Sequence, residues 1–113
     1  MPKSDVALLK DMLDAATEIK TLTGRRRRKD LDDNRMLSLS LVRLLEIVGE
    51  AAANVSGGFG SEHPEIPWGA IIGMRNRLVH AYSSVSLDVV WSTIREDVPP
   101  LIVALESVLR DRR

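Results

Sequence analysis

Apolar positions recur along this chain at three- and four-residue steps, the rhythm of helices, with no strand-like alternation. Over residues 4 to about 23, Leu9, Leu13 and Ala16 fall in one row, with Val6, Met12 and Ile19 beside it. Ser4 is suited to cap this helix and Gly24 to stop it. A second helix is predicted over roughly 34–56, with the acids just before it as candidate N-caps. Its apolar positions, Leu37, Leu41, Leu44, Val48 and Ala52 with Leu45, Ala51 and Val55 nearby, make a stripe wider than one contact face. Such a helix either packs on its own bundle and on a second partner, or lies at the centre of its own chain.

Gly57, Gly58, Gly60, Pro64 and Pro67 predict a loop over 57–67. Pro67 suits the first position of a third helix, PWGAIIGMRNRLVHAY, because its missing N–H has no partner there anyway. Ser86 or Asp88 is expected to cap a fourth helix carrying Val90, Trp91, Ile94 and Val98. Pro99 and Pro100 should break or kink it, after which Leu101, Ile102, Leu105, Val108 and Leu109 resume the pattern. The fold class is therefore all-α, an up-and-down bundle of four to five helices.

Composition narrows the function. The 113 residues fit a single domain over 1–113, and 44% are hydrophobic but only 4% aromatic. Sixteen basic residues balance sixteen acidic ones, so no global field draws in nucleic acid or an anionic membrane. The absence of cysteine excludes a disulfide scaffold, a thiolate metal site and a cysteine nucleophile. The amino terminus is charged every few residues, unlike a signal peptide or membrane span, so a cytoplasmic location is expected. Without HExxH, a glycine-rich phosphate loop or GxSxG, neither a metal nor a nucleotide cofactor is expected.

Over 66–94 the charged residues are Arg75, Arg77 and Asp88 alone. A buried cation needs a partner, a route to water or a task. Glu46 and Glu50, one turn apart on the second helix, are candidate partners, so structural ion pairs are one reading. Close by stand Asn76, His80 and Tyr82. Asn76 and His80, four apart, share a helix face. Arg75 and His80, five apart, are separated by roughly 140° on a regular helix. Either the helix ends before His80 and the chain folds back, or the site is assembled across two chains. Arg, Asn, His and Tyr suit metal-free cleavage of RNA, whose 2′-hydroxyl is an internal nucleophile. His63, in a Gly/Pro loop beside Glu62 and Glu65, reads as a solvated surface residue.

Arg75-Asn-Arg-Leu-Val-His80 fits the R-x4-H signature of HEPN domains, and His80-Ala-Tyr82 extends it to R-x4-H-x-Y. With LLEIVGEAA at 44–52, HPEIPWGAIIGMRN at 63–76, VW at 90–91 and VPPL at 98–101, the chain resembles the HepT-like branch over about 37–105. The resemblance implies a homodimer with both motifs facing a shared cleft, and a metal-independent endoribonuclease toxin paired with an MNT-type nucleotidyltransferase antitoxin. It implies that Arg75 holds the scissile phosphate, that His80 is the acid/base and that Asn76 orients His80 or the RNA. Tyr82 matches the family tyrosine to which the antitoxin transfers AMP. The basic run Arg25, Arg26, Arg27, Arg28 and Lys29 departs from its relatives; with Arg77 it is a candidate RNA contact, or else a solvated segment balanced by Asp30, Asp32 and Asp33. A different reading makes the chain a non-catalytic subunit that regulates a nucleotidyltransferase.

Overall fold

A computed structural model describes residues 3–80 and 85–111, apart from the His80 side chain. All regular structure among them is helical. Helix α1 (Asp5–Thr23) starts as expected, with Ser4 Oγ accepting from the Ala7 N–H at 3.1 Å. Helix α3 (Arg35–Asn54) starts at Asn34, whose Oδ1 accepts from the Leu37 N–H at 3.0 Å. Between them the basic run is not simply a loop. It turns into a short helix, α2 (Arg28–Asp33), whose entry is fixed by Arg27 N–H donating to Asp30 Oδ2 at 2.8 Å.

The glycine-rich stretch also departs from expectation, because it contains α4 (Gly57–Glu62). Ser56 N–H and Oγ–H donate to the two carboxylate oxygens of Asp5, at 2.9 and 2.7 Å, while Phe59 is buried. One aromatic anchor and one tether thus outweigh the low helix propensity of three glycines. Helix α5 (Trp68–His80) begins after Pro67 rather than on it, and the Pro67 carbonyl accepts from Ile71 N–H.

Ser86 caps α6 (Leu87–Ser92), its hydroxyl accepting from Val89 N–H at 3.3 Å. The chain then passes through a π-helical turn (Thr93–Asp97) directly into α7 (Val98–Asp111). Pro99 and Pro100 can donate no N–H to the preceding turn, and their rings crowd its carbonyls. The wider turn, in which Val98 N–H reaches Thr93 O, absorbs that conflict without ending the helix. The expected break is therefore a local widening.

Helix α1 packs on α3 and α7, and α5 packs on α3. Leu9, Met12 and Ile19 of α1, Leu41 and Val48 of α3 and Leu105 and Val108 of α7 fill the core. The broad stripe of α3 is mostly covered by its own chain: Leu37, Leu41, Leu44, Val48 and Ala52 are all buried. Met36 and Leu39 on the same helix are exposed. A groove of about 380 Å³ lies between α5 and the stretch from the π-helical turn into α7, with Ala16 of α1 and Leu45 and Val48 of α3 also lining it.

Leu41 is fully buried on α3, the helix shared by both halves of the packing. Leu41→Ala should lower unfolding stability by about 2–5 kcal/mol in urea titration; a loss below about 0.5 kcal/mol would contradict this core assignment.

Candidate functional site

Helix α5 carries the motif residues, and its seating on α3 fixes the position of Arg75. The contact point is Gly49, buried in the middle of α3. A Cβ on Gly49 would overlap Arg75 Cβ and lie 2.7 Å from its Cγ and 3.3 Å from its Cα. The arginine stem thus rests on bare α3 backbone. Glycine inside a helix costs roughly 0.5–1 kcal/mol relative to alanine, and here it permits this close approach. Arg75 is half-buried, and its Nε is buried without a hydrogen-bond partner among the described residues.

The expected structural ion pairs do not form. Glu46 and Glu50 face Arg43 on their own helix, with Arg43 Nη1 at 3.4 and 3.5 Å from them. A residue three positions along the same helix satisfies Glu46 more readily than one on a neighbouring helix. Among the described residues no carboxylate pairs with Arg75 or Arg77. A buried donor left unpaired costs about 1–3 kcal/mol, which is tolerable at a place where a ligand oxygen can supply the missing acceptor.

Arg77 belongs to a different face. Two positions after Arg75, it is turned by about 200° and lines the groove between α5 and α7 with Ile71, Met74 and Leu101, near Glu65 and Asp97. Asn76 is exposed, one turn before His80. The helix does not end before His80; it includes it. One of the two alternatives left by the spacing is thereby removed, since positions 75 and 80 stay about 140° apart on α5. Tyr82 lies outside the described residues.

The basic run divides. Arg28 Nε donates to Asp88 Oδ1 at 2.7 Å and its Nη1 is 3.1 Å from Asp32 Oδ2, joining α2 to the first turn of α6. Asp88, then Asp32, hold this guanidinium above its already high range. Lys29 pairs loosely with Asp33 at 4.0 Å. Arg25, Arg26 and Arg27 are exposed, with no ion pair among the described residues. Their turn is held by Arg95, which lies 4.3 Å over the Trp91 ring and donates through Nη2 to Arg26 O at 2.7 Å and Thr23 O at 3.4 Å. His63 is not the solvated residue expected. It is half-buried, its ring 4.5 Å from that of Phe59, and its carbonyl accepts from Trp68 Nε1 at 3.0 Å.

Gly49, Asp88 and Arg95 were not among the expected site residues. A lone glycine within the otherwise strongly helical LLEIVGEAA was the available signal for Gly49. Trp91 and Arg95, one turn apart, were a weaker one. Among the described residues no helix is long and apolar enough to cross a membrane, and no three His, Cys, Asp or Glu side chains gather as metal ligands.

Comparison with known proteins gives this arrangement a family. The family model described as HepT-like, "Ribonuclease HepT-like", matches residues 12–108. A Methanocaldococcus jannaschii protein named "Putative RNase MJ1380" is 34% identical over 114 residues, covering 96% of this chain and all of the relative. A Thermococcus cleftensis protein named "Probable ribonuclease HepT" is 37% identical over 101 residues, covering 89% of this chain and 92% of the relative. No solved structure is significantly similar. With the match spanning α1 to α7 and including Gly49, Arg75 and His80, the chain belongs to the HepT-like ribonuclease family.

Proposed function

We propose that this chain is a metal-independent endoribonuclease that acts as a homodimer, the toxin of a HEPN–MNT pair, held in check by AMP transfer onto Tyr82. The observation that carries the reading is Arg75: a half-buried arginine in a family motif, seated on α3, with no carboxylate to neutralise it among the described residues. A phosphate is the natural counter-charge for such a guanidinium.

In the proposed reaction the RNA 2′-hydroxyl attacks the adjacent phosphorus, and the P–O5′ bond breaks. The products are a 2′,3′-cyclic phosphate and a 5′-hydroxyl, so the proton lost by one oxygen is gained by the other. His80 takes up or delivers that proton. Arg75 stabilises the charge that grows on the phosphorane oxygens, and Asn76 orients His80 or the RNA. Because α5 runs unbroken through His80, convergence of Arg75 and His80 on one phosphate calls for a second chain, which supports the dimer.

Arg25, Arg26 and Arg27 are the basic residues free to follow the RNA backbone, whereas Arg28 is engaged by Asp88 and Asp32. AMP on Tyr82, two residues after His80, would place bulk and negative charge beside the cleft and so oppose RNA. A cytoplasmic location follows from that substrate.

His80→Ala should abolish cleavage of a fluorophore–quencher RNA while sedimentation still reports the dimer; wild-type cleavage by this variant would refute the reading. If unmodified wild-type protein, purified free of its partner, cuts no RNA under any condition yet still forms the partner complex normally, the chain is instead a regulatory subunit. Intact mass of His80→Ala, incubated with the nucleotidyltransferase and ATP, should rise by one or more AMP units. Tyr82→Phe should remove that gain, and its persistence would exclude Tyr82 as acceptor. Replacing Arg25, Arg26 and Arg27 together by alanine should flatten the salt dependence of RNA affinity by roughly two units of log–log slope, at about 0.7 per phosphate contact. An unchanged slope would place the RNA elsewhere.

A further inference from the structure

We infer that Gly49 is a positioning residue for Arg75, setting the depth of the arginine stem and hence the reach of its guanidinium; the inference rests on the reading of Arg75 as the phosphate-binding residue. Gly49 is buried at mid-helix, where no turn or left-handed conformation asks for glycine. What does ask for it is Arg75. The three nearest atoms that a Cβ on Gly49 would meet are Arg75 Cβ, Cγ and Cα, the last two at 2.7 and 3.3 Å. None belongs to the far end of a flexible chain that could swing aside. They are the root of the side chain, so a methyl group here must shift α5 or redirect the arginine.

Arg75 Nε is buried and lacks a hydrogen-bond partner among the described residues, so no acceptor among them fixes the side chain at that nitrogen. Packing of the aliphatic stem on α3 is the contact among the described residues that directs it. Asn76 and Arg77, the neighbours of Arg75, are both exposed and do not take part in this contact. Gly49 touches no reacting atom in this account. It acts through Arg75 alone.

An interaction with phosphorane charge is stronger in the transition state than in the ground state, so misplacing Arg75 should reduce kcat more than it raises KM. The test compares Gly49→Ala, Arg75→Ala and the double variant on the fluorophore–quencher RNA. It adds the arginine Nε–Hε NMR spectrum of 15N-labelled protein, with the Arg75 signal assigned by its loss in Arg75→Ala. Gly49→Ala should lower kcat tenfold or more with KM changed less than threefold, and should move the Arg75 Nε–Hε signal. Added to Arg75→Ala it should cost little more, because the lever it acts on is already gone. An unmoved Arg75 signal, or a Gly49→Ala effect as large in the Arg75→Ala background as in the wild type, would overturn the inference.

If Gly49→Ala does not fold, Gly49→Ala/Arg75→Gly decides. Removing the arginine stem should restore the helical circular dichroism and the cooperative melt; failure to restore them would make Gly49 a general packing residue and overturn the inference. A wild-type protein that cuts no RNA would instead remove the ribonuclease reading, and the NMR comparison would still decide whether Gly49 places Arg75.

Discussion

The close approach of α5 to α3 at Gly49 is the contact on which the organisation of this molecule turns. Helix α3, buried along Leu37, Leu41, Leu44, Val48 and Ala52, has α1 and α5 as its main packing partners, with α2 and α6 beside them. The family motif lies on α5, which has to dock against this already crowded helix. A residue without a side chain lets the Arg75 stem settle against α3 backbone. Burial of Ile71 and Leu78 on α5 contributes to holding that helix on the bundle. The charged group at the end of the stem then occupies a position that no carboxylate among the described residues neutralises.

The rest of the chain supports this arrangement from its periphery. The π-helical turn before Pro99 and Pro100 keeps α6 and α7 continuous, so α7 reaches the α1 surface without an interruption. Arg95, within that turn, stacks on Trp91 and bonds the carbonyls at the end of α1 and in the basic turn. Arg28 closes the same region through Asp88. The exposed Arg28 ion pairs add little to stability individually. Their consequence is spatial: the arginines of the basic run do two jobs, with one locking α2 to α6 and three facing solvent.

Much of the fold was legible in the sequence because it followed from periodicity and caps. Ser4 and Ser86 accept the expected N-terminal hydrogen bonds, Asn34 takes the capping role expected of the acids before it, and the apolar rows of α1, α3 and α7 are largely the ones buried. Short elements were not legible, since α2 and α4 have too few residues for a helical period to register. They form because of tertiary tethers, Arg28 to Asp88 and Ser56 to Asp5, between residues 60 and 51 positions apart. The motif itself was legible as a pattern of residue types, and its regular helix through His80 matched one of the two geometries the spacing allowed. The partners of Glu46 and Glu50 were misjudged because spacing favours neither one helix nor two; the nearer Arg43 took both.

The proposed function, read with the unbroken course of α5 through His80, has a phosphate held by Arg75 from one protomer and acted on by His80 of another. Mixing Arg75→Ala with His80→Ala protein tests this most directly, after dissociation and reassociation to form mixed dimers. Each variant alone should be all but inactive towards RNA, with Arg75→Ala keeping only a small residual rate. A mixed dimer restores one complete pair, Arg75 from one chain and His80 from the other, so cleavage should reappear on mixing. If both variants are all but inactive alone and the mixture, with mixed dimers demonstrated, stays so too, the composite site is wrong.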